Sequence, residues 1–192
     1  MKKYLVIGDP IKHSLSPLLH NYWIKKNNIK AEYDKKKIDK DDFKSLINKI
    51  KKKEINGINV TIPFKKEIIP FLEKLSPEAE STQSVNTVYI DNDIVVGHNT
   101  DIKGFELAIK DTRYDVVGKS VFILGAGGVV PSIIHALNNM KASSITITNR
   151  TQSKAENLKN LFKDLKIINW GELPNFDMII NATSIGLNNK DE

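Results

Sequence analysis

The stretch VFILGAGGVVPSII, residues 121–134, determines the fold expected for the second half of the chain. An unbroken apolar run, typical of a buried parallel strand, leads straight into Gly125, Gly127 and Gly128. Apolar residues then recur with the spacing of a helix. A strand, a glycine-rich turn and a helix in this order present backbone N–H groups to the pyrophosphate of a dinucleotide. Val130 stands where G-x-G-x-x-G has its third glycine, and a purely structural turn is the alternative interpretation.

The end of the next apolar segment, SITIT, distinguishes between nicotinamide cofactors. In NAD-binding proteins, Asp or Glu at this place accepts hydrogen bonds from the ribose 2′-hydroxyl. This chain instead has Asn149, Arg150 and Thr151, followed by Lys154. A guanidinium can bind a 2′-phosphate through two parallel N–H groups, so the sequence favours NADP over NAD. A surface arginine beside a helix N-cap at Thr151 is the simpler alternative.

Further segments around these two strands complete a partial Rossmann domain. SKAENLKNLFKDL has the apolar spacing of a helix, and FDMIINATS is expected to contain a third strand. A connecting helix is expected within residues 102–115. We therefore predict a dinucleotide-binding Rossmann domain over residues 102–192 with about three strands, roughly half of a complete doubly wound sheet.

The first half of the chain alternates apolar strands with amphipathic helices. The predicted strands are KYLVIGD, AEYDKKKI and GINVTI, and the predicted helices between them are SPLLHNYWIKKNN and DDFKSLINKIKKK. Ser16 is expected to be the N-cap of the first helix, with Pro17 at its first position. FKKEIIPFLEKL is expected to be helical with an interruption at Pro70, and SVNTVYIDNDIVVGHNTD to be a hairpin that turns at residues 91–93. This order indicates an α/β fold that begins with a mostly parallel βαβ domain over residues 1–101.

Polar residues end or follow the predicted strands of the first half. One strand carries Asn59 and Thr61 and is followed closely by Lys65. Because ligands of parallel α/β sheets gather outside the carboxyl ends of the strands, hydroxyls, amides, a lysine and an aspartate there suit a small polyhydroxy carboxylate. These residues also have a structural interpretation, in which Ser16 merely caps a helix and Asn99 and Asp101 merely shape a turn. The remaining groups are Ser14 and Ser16 in HSLSP, Asn86 in SVNT, and Asn99, Thr100 and Asp101 in GHNTD.

Composition excludes several classes of protein. Hydrophobic residues make up 40% and charged residues 27% of the 192 residues, and no apolar run approaches the length of a membrane span. The absence of cysteine excludes disulfides and thiolate metal sites and fits a cytoplasmic location. The histidines lie far apart in the sequence, so no metal site is expected. A net charge of +6 allows nucleic-acid binding, but the lysine-rich NKIKKKEI is better explained as the exposed face of a helix.

Short motifs in a fixed order make the sequence resemble the shikimate dehydrogenase family. They are HSLSP, NVTIPFK, SVNT, NTD, GAGG, TNRT and INATS. The resemblance implies an NADP-dependent oxidoreductase that reversibly reduces 3-dehydroshikimate to shikimate in aromatic amino-acid biosynthesis. It implies that Lys65 and Asp101 form a catalytic pair, in which Lys65 moves the proton.

The resemblance also implies two sets of binding residues. Hydroxyls of the two serines would hold the substrate carboxylate, and the other substrate-binding side chains, together with Asp101, would hold ring hydroxyls. The substrate-binding set is Ser14, Ser16, Asn59, Thr61 and Asn86. The cofactor-binding set is Gly125, Ala126, Gly127, Gly128, Val129, Asn149, Arg150, Thr151, Lys154, Thr183 and Ser184.

Members of this family are longer at the C-terminus. We therefore expect a truncated or incompletely represented member whose nucleotide-binding sheet keeps an unpaired edge. Its partners would be small molecules rather than nucleic acid or membrane, and it would be a monomer or a homodimer. The alternatives are an NAD-dependent quinate or quinate/shikimate dehydrogenase, against which Arg150 argues, and a non-catalytic fragment that binds shikimate or nucleotide. A basic nucleic-acid-binding module is more distant.

Overall fold

The computed structural model describes residues 1–186 and divides into two compact units. The first unit is Met1–Thr100, and the second begins at Asp101. Each unit has its own sheet and its own buried apolar cluster. Within residues 1–186, the helices are too short or too polar to cross a membrane.

The first unit is built on a six-stranded sheet, counted over residues 1–100, with the order β2-β1-β3-β5-β6-β4. β1 pairs in parallel with β2 and β3, β5 runs antiparallel to β3 and β6, and β4 is parallel to β6. The predicted parallel βαβ order followed by a hairpin is therefore confirmed. The strands are β1 (Lys2–Gly8), β2 (Ala31–Lys37), β3 (Gly57–Val60), β4 (Lys74–Leu75), β5 (Thr87–Asp91) and β6 (Ile94–His98). The helices are α1 (Ser16–Lys26), α2 (Phe43–Lys51) and α3 (Pro77–Thr82).

The two longer helices of this unit attach to the sheet in different ways. All four apolar residues of the α2 stripe are buried in the main core: Phe43, Leu46, Ile47 and Ile50. In contrast, α1 has no buried residue. It is held partly by polar contacts, because the side-chain amide of Asn21 bonds both the N–H and the C=O of Tyr33 on the edge strand β2, at 3.0 and 2.7 Å. A small cluster of Val6, Ile11 and Tyr33 lies on this side.

Two local predictions for the first unit are wrong. Ser16 is not an N-cap: α1 begins at Ser16, and Leu15 at the N-cap has helical dihedral angles and makes no side-chain capping bond. An N-cap residue needs an extended backbone to turn its side chain onto the helix end, and Ser16 is already inside the helix. FKKEIIPFLEKL is not an α-helix but a series of turns and a 3₁₀ turn at Ile69–Phe71, followed by β4, since Pro70 cannot donate a helical hydrogen bond.

The hairpin is formed as predicted. β5 and β6 pair from Asp91↔Ile94 to Thr87↔His98. The two linking residues, Asn92 and Asp93, have φ angles of 49° and 62°. Positive φ at both positions is the requirement of the tight turn whose twist matches that of the strands, and Asn and Asp tolerate it.

The second unit contains an all-parallel sheet with the order β10-β7-β8-β9, counted over residues 101–186. Three of these strands lie where the sequence predicts them, and the two-residue β9 is additional. The helix predicted over SKAENLKNLFKDL ends early, at Leu158. The strands are β7 (Ser120–Leu124), β8 (Ser144–Thr148), β9 (Lys166–Ile167) and β10 (Met178–Asn181). The helices are α4 (Asp101–Asp111), α5 (Val130–Asn139) and α6 (Gln152–Leu158).

Candidate active site

The glycine turn after β7 is shaped by close backbone approach. Gly125 has φ +104°, and a Cβ there would lie 2.8 Å from the carbonyl oxygen of Ala182 and 3.0 Å from Cγ2 of Thr183. Its N–H donates to the carbonyl of Thr148 at 2.8 Å. Gly125 thus sits between the ends of β8 and β10, where only a residue without a side chain fits.

The next residues of the turn form an open surface. Gly127 and Gly128 are exposed, and a Cβ on Gly128 would meet no atom of the described residues within 4 Å. Val129 occupies the N-cap position of α5, and Val130, at the third glycine position, is fully buried in the core of this unit. The turn leads into the N-terminus of α5, where the helix dipole favours negative charge, so it fits an anionic pyrophosphate.

Asn149 joins the ends of the first two strands of this unit. Its Oδ1 accepts a hydrogen bond from the N–H of Ala126 at 3.0 Å, and its Nδ2 donates to the carbonyl of Thr151 at 2.7 Å. The N–H of Ala126 is therefore directed at protein. Asn149 therefore fixes the loop after β7 relative to the loop after β8. Both loops would face a dinucleotide.

The cationic side chains at the end of β8 are exposed. Arg150 and Lys154 bracket the start of α6, and Thr151 is its N-cap residue, although its side chain makes no capping bond. No carboxylate occurs between Asn149 and Lys154. Two cations without an opposing acid suit a 2′-phosphate and are a poor match to the ribose 2′-hydroxyl of NAD.

The predicted residues after β10 form a compact turn. Oδ1 of Asn181 accepts from the hydroxyl and the N–H of Thr183, at 2.6 and 3.0 Å, and the Thr183 hydroxyl in turn accepts from the N–H of Ile185 at 3.1 Å. Ser184 is exposed. Sequence reasoning missed Asn181, although an Asn side chain that bonds the main chain two residues further on is a recognised feature of turns.

Strand pairing brings the polar groups of the first unit to one edge of its sheet. The ends of β1, β3 and β6 meet there with the start of β5, because β5 is antiparallel to its neighbours. Asn59 pairs with Thr87, and Thr87 with His98. The loops that carry the predicted residues therefore all leave the same edge, as the rule for ligand sites in α/β sheets requires.

Asn59 and Asn86 are bonded to each other and to hydroxyl groups. Nδ2 of Asn59 donates to the Asn86 carbonyl at 3.2 Å and to Oγ1 of Thr87 at 3.1 Å. Oδ1 of Asn59 accepts from the hydroxyl of Tyr33 at 2.7 Å. Oδ1 of Asn86 accepts from the N–H of Thr100 at 3.0 Å, which fixes the last residue of the first unit. Sequence reasoning missed Tyr33, whose only signal is an aromatic residue in an otherwise polar strand.

The other predicted residues of the first unit lie in turns beside this network. The hydroxyl of Ser14 accepts from the N–H of Ser16 at 3.3 Å. The N–H of Thr61 donates to the carbonyl of Ile7 at 2.9 Å, and the carbonyl of Lys65 accepts from the N–H of Val85 at 2.8 Å. Lys65 is half-buried. Backbone contacts thus tie these turns to neighbouring strands.

The turn after β3 packs closely on the end of β1. A Cβ at Gly8 would lie 2.6 Å from Cγ2 of Thr61 and 3.0 Å from the carbonyl oxygen of Ile62. Gly8 therefore permits the close approach that positions Thr61. Asp101 is the first residue of α4 and directly follows Thr100 in the chain.

Comparison with known proteins assigns both units to one family. The family described as "Shikimate dehydrogenase substrate binding domain" matches residues 6–88, and "Shikimate / quinate 5-dehydrogenase" matches residues 106–187. The chain belongs to the shikimate dehydrogenase family. A curated relative from Pelagibacter ubique, "Shikimate dehydrogenase (NADP(+))", is 56% identical over 191 residues, an alignment that covers 100% of this chain and 72% of the relative.

Solved structures of the family have the same fold. Shikimate dehydrogenase from Aquifex aeolicus is 38% identical with a TM-score of 0.92, covering 100% of this chain and 72% of that one. The Thermus thermophilus enzyme, solved in complex with NADP(H) and shikimate, is 28% identical with a TM-score of 0.87, covering 97% and 70%. The predicted family and fold class are confirmed, and the names of these relatives agree with the predicted NADP cofactor.

Proposed function

We propose that this chain catalyses the reversible reduction of 3-dehydroshikimate to shikimate with NADPH, a step of aromatic amino-acid biosynthesis. The observation that carries the proposal is the convergence of hydroxyl, amide and lysine-bearing loops at one edge of the first sheet. Relatives named for this activity, at up to 56% identity, support it. Polar groups of these kinds suit a small ring that carries hydroxyls and a carboxylate.

Residues 1–101 are proposed to form the substrate domain. The hydroxyls of Ser14 and Ser16, near the start of α1, would hold the carboxylate, where the helix dipole favours negative charge. Side chains on and after β3, together with Asn86, would bond ring hydroxyls. The hydrogen bonds that already tie Asn59 to Asn86 support a preorganised site, which loses little entropy when substrate binds.

Lys65 and Asp101 are proposed to carry the proton chemistry. Reduction of a ketone develops negative charge on its oxygen, and a positioned acid lowers the barrier by donating a proton there. Lys65 would supply that proton, and in the reverse direction it would accept it. Asp101 would act with Lys65 as the second member of the pair.

Residues 102–192 are proposed to bind the cofactor, which supplies or accepts the hydride when bound. The turn at residues 125–129 would face the pyrophosphate, and Arg150 with Lys154 would pair with the 2′-phosphate. Thr183 and Ser184 would line the same site from the turn after β10. The enzyme is further proposed to be cytoplasmic, to be a monomer or a homodimer, and to have small molecules as its ligands.

Steady-state oxidation of shikimate by the purified chain tests these roles. Lys65→Ala and Asp101→Asn should each lower kcat by about 10²-fold or more, the range for loss of a general acid or base. Lys66→Ala is the matched control, since Lys66 is the neighbouring, exposed lysine and should retain full activity. Unchanged kcat in Lys65→Ala would contradict the assigned proton donor.

Cofactor choice and the alternative functions are separated by the same assay. Arg150→Ala should raise the KM for NADP⁺ by about tenfold while leaving the KM for shikimate unchanged, because one charge-assisted contact is lost. Faster turnover with NAD⁺ and quinate than with NADP⁺ and shikimate would favour the quinate dehydrogenase alternative. Calorimetric binding of shikimate without turnover would favour a binding protein.

A further inference from the structure

The residue Tyr33 makes a buried contact that the proposed roles do not use. It is 6% exposed, and its hydroxyl donates to Oδ1 of Asn59 at 2.7 Å. The two residues belong to β2 and β3, which lie on either side of β1. The phenol ring therefore reaches over β1 to a residue proposed to bind substrate.

The orientation of the Asn59 amide follows from its other partners. The main-chain carbonyl of Asn86 can only accept a hydrogen bond, so the atom of Asn59 that faces it must be Nδ2. The second hydrogen of Nδ2 is directed at Oγ1 of Thr87. Oδ1 is then the atom that faces Tyr33, and the phenol must be the donor.

Several contacts hold the phenol in place. The side-chain amide of Asn21 bonds both main-chain groups of Tyr33. The imidazole of His20 stacks on the phenol ring at 4.1 Å between centroids and an angle of 5°. Burial raises the pKa of Tyr33 and lowers the pKa of His20. Tyr33 therefore stays protonated, as a donor must, and His20 is neutral at pH 7 beside it.

We propose that Tyr33 is a positioning residue. It fixes the orientation of the Asn59 side chain so that Oδ1 of Asn59 accepts a hydrogen bond from a hydroxyl of the ligand. Among the described residues, both hydrogens of Nδ2 and one lone pair of Oδ1 are engaged. The second lone pair of Oδ1 is what remains for a ligand, and it can only accept. This inference rests on the proposed function, because it takes shikimate as the ligand.

Isothermal titration of shikimate into the full 192-residue chain tests the inference. Tyr33→Phe removes only the hydroxyl, and shikimate should bind about tenfold more weakly because Asn59 loses the partner that orients it. The affinity for NADP⁺ should stay within about twofold, since a folded cofactor domain is unaffected. Tyr4→Phe is the matched control. Tyr4 packs against the same apolar cluster, but the hydroxyl that donates to Asn59 is that of Tyr33.

A double-mutant cycle separates positioning from a general structural effect. In the Asn59→Ala background, Tyr33→Phe should weaken shikimate binding no further, because the residue through which Tyr33 acts is gone. An equal loss in both backgrounds would overturn the proposal, as would wild-type affinity in Tyr33→Phe. Thermal unfolding of each variant reports whether it is folded.

Substrate analogues provide a second test if Asn59→Ala does not fold. Each monodeoxy analogue of shikimate lacks one ring hydroxyl. One analogue lacks the hydroxyl that donates to Asn59. Its loss of affinity relative to shikimate should be about tenfold larger for the wild type than for Tyr33→Phe. Equal discrimination for all the analogues would overturn the proposal. Absence of any shikimate binding to the wild type would instead overturn the proposed function itself.

Discussion

Replacement of Gly125 by alanine should destabilise the second unit through two separable effects. The first is backbone strain at φ +104°, and the second is overlap of the new Cβ with the Ala182 carbonyl oxygen at 2.8 Å. Two other glycines of the same unit isolate these effects. Gly118 has φ +72° but no atom within 4 Å of an added Cβ, and Gly128 has neither the positive φ nor the close contact.

The expected magnitudes follow from the two effects. A non-glycine residue held in such a backbone conformation costs about 1–3 kcal/mol. Overpacking against atoms that cannot move freely costs about 1–3 kcal/mol more. Gly125→Ala should therefore lose about 2–6 kcal/mol, Gly118→Ala about 1–3 kcal/mol, and Gly128→Ala less than about 0.5 kcal/mol.

Urea denaturation followed by far-UV circular dichroism measures this series. With a slope of about 1–3 kcal/mol per molar urea, the midpoint for Gly125→Ala should fall by about 1 M or more. Hydrogen exchange of the β7 amides would localise the loss to the second unit. If Gly125→Ala were no less stable than Gly118→Ala, the chain after β10 could not lie against Gly125, and the described geometry of the glycine turn would be wrong.

Two further changes test the core and the electrostatics of the units. Phe43→Ala should lower the free energy of unfolding by about 3–5 kcal/mol, because Phe43 is among the largest fully buried side chains. Thermal unfolding measures this loss. Phe71→Ala is the control and should lower the free energy of unfolding less, because the Phe71 ring is more exposed. The N–H and hydroxyl of Ser120 lower the pKa of Asp177, so the stabilisation by this carboxylate is present above about pH 4 and lost as pH falls through the lowered pKa. The stability difference between wild type and Asp177→Ala should thus narrow in acid; a difference that is constant with pH would contradict this.

Local patterns predict those parts of the fold that local forces determine. The buried face of α2 could be predicted, because apolar residues spaced three and four apart lie on one face of a helix. The hairpin is legible because Asn92 and Asp93 tolerate positive φ. The order of β7, glycine turn and helix could also be predicted from local sequence, because Gly125 has a backbone conformation that favours glycine.

Contacts between distant segments account for what the sequence could not predict. Tyr33 reaches Asn59 only because β2 and β3 flank β1, an order set by the whole sheet. The close packing of Thr61 on Gly8 likewise joins two segments that lie far apart in the sequence. The binding and catalytic roles of the named residues, and the domain limits at residue 101, stay predictions until they are measured.

Transfer of a labelled hydride tests the central claim most directly. Shikimate carrying deuterium on the carbon that bears the reacting hydroxyl would be incubated with the chain and NADP⁺, and the nucleotide would be analysed by mass spectrometry. We predict that NADPH forms and carries one deuterium from shikimate. Nucleotide that remains oxidised in the presence of folded chain, or reduced nucleotide without the label, would contradict the proposed reaction.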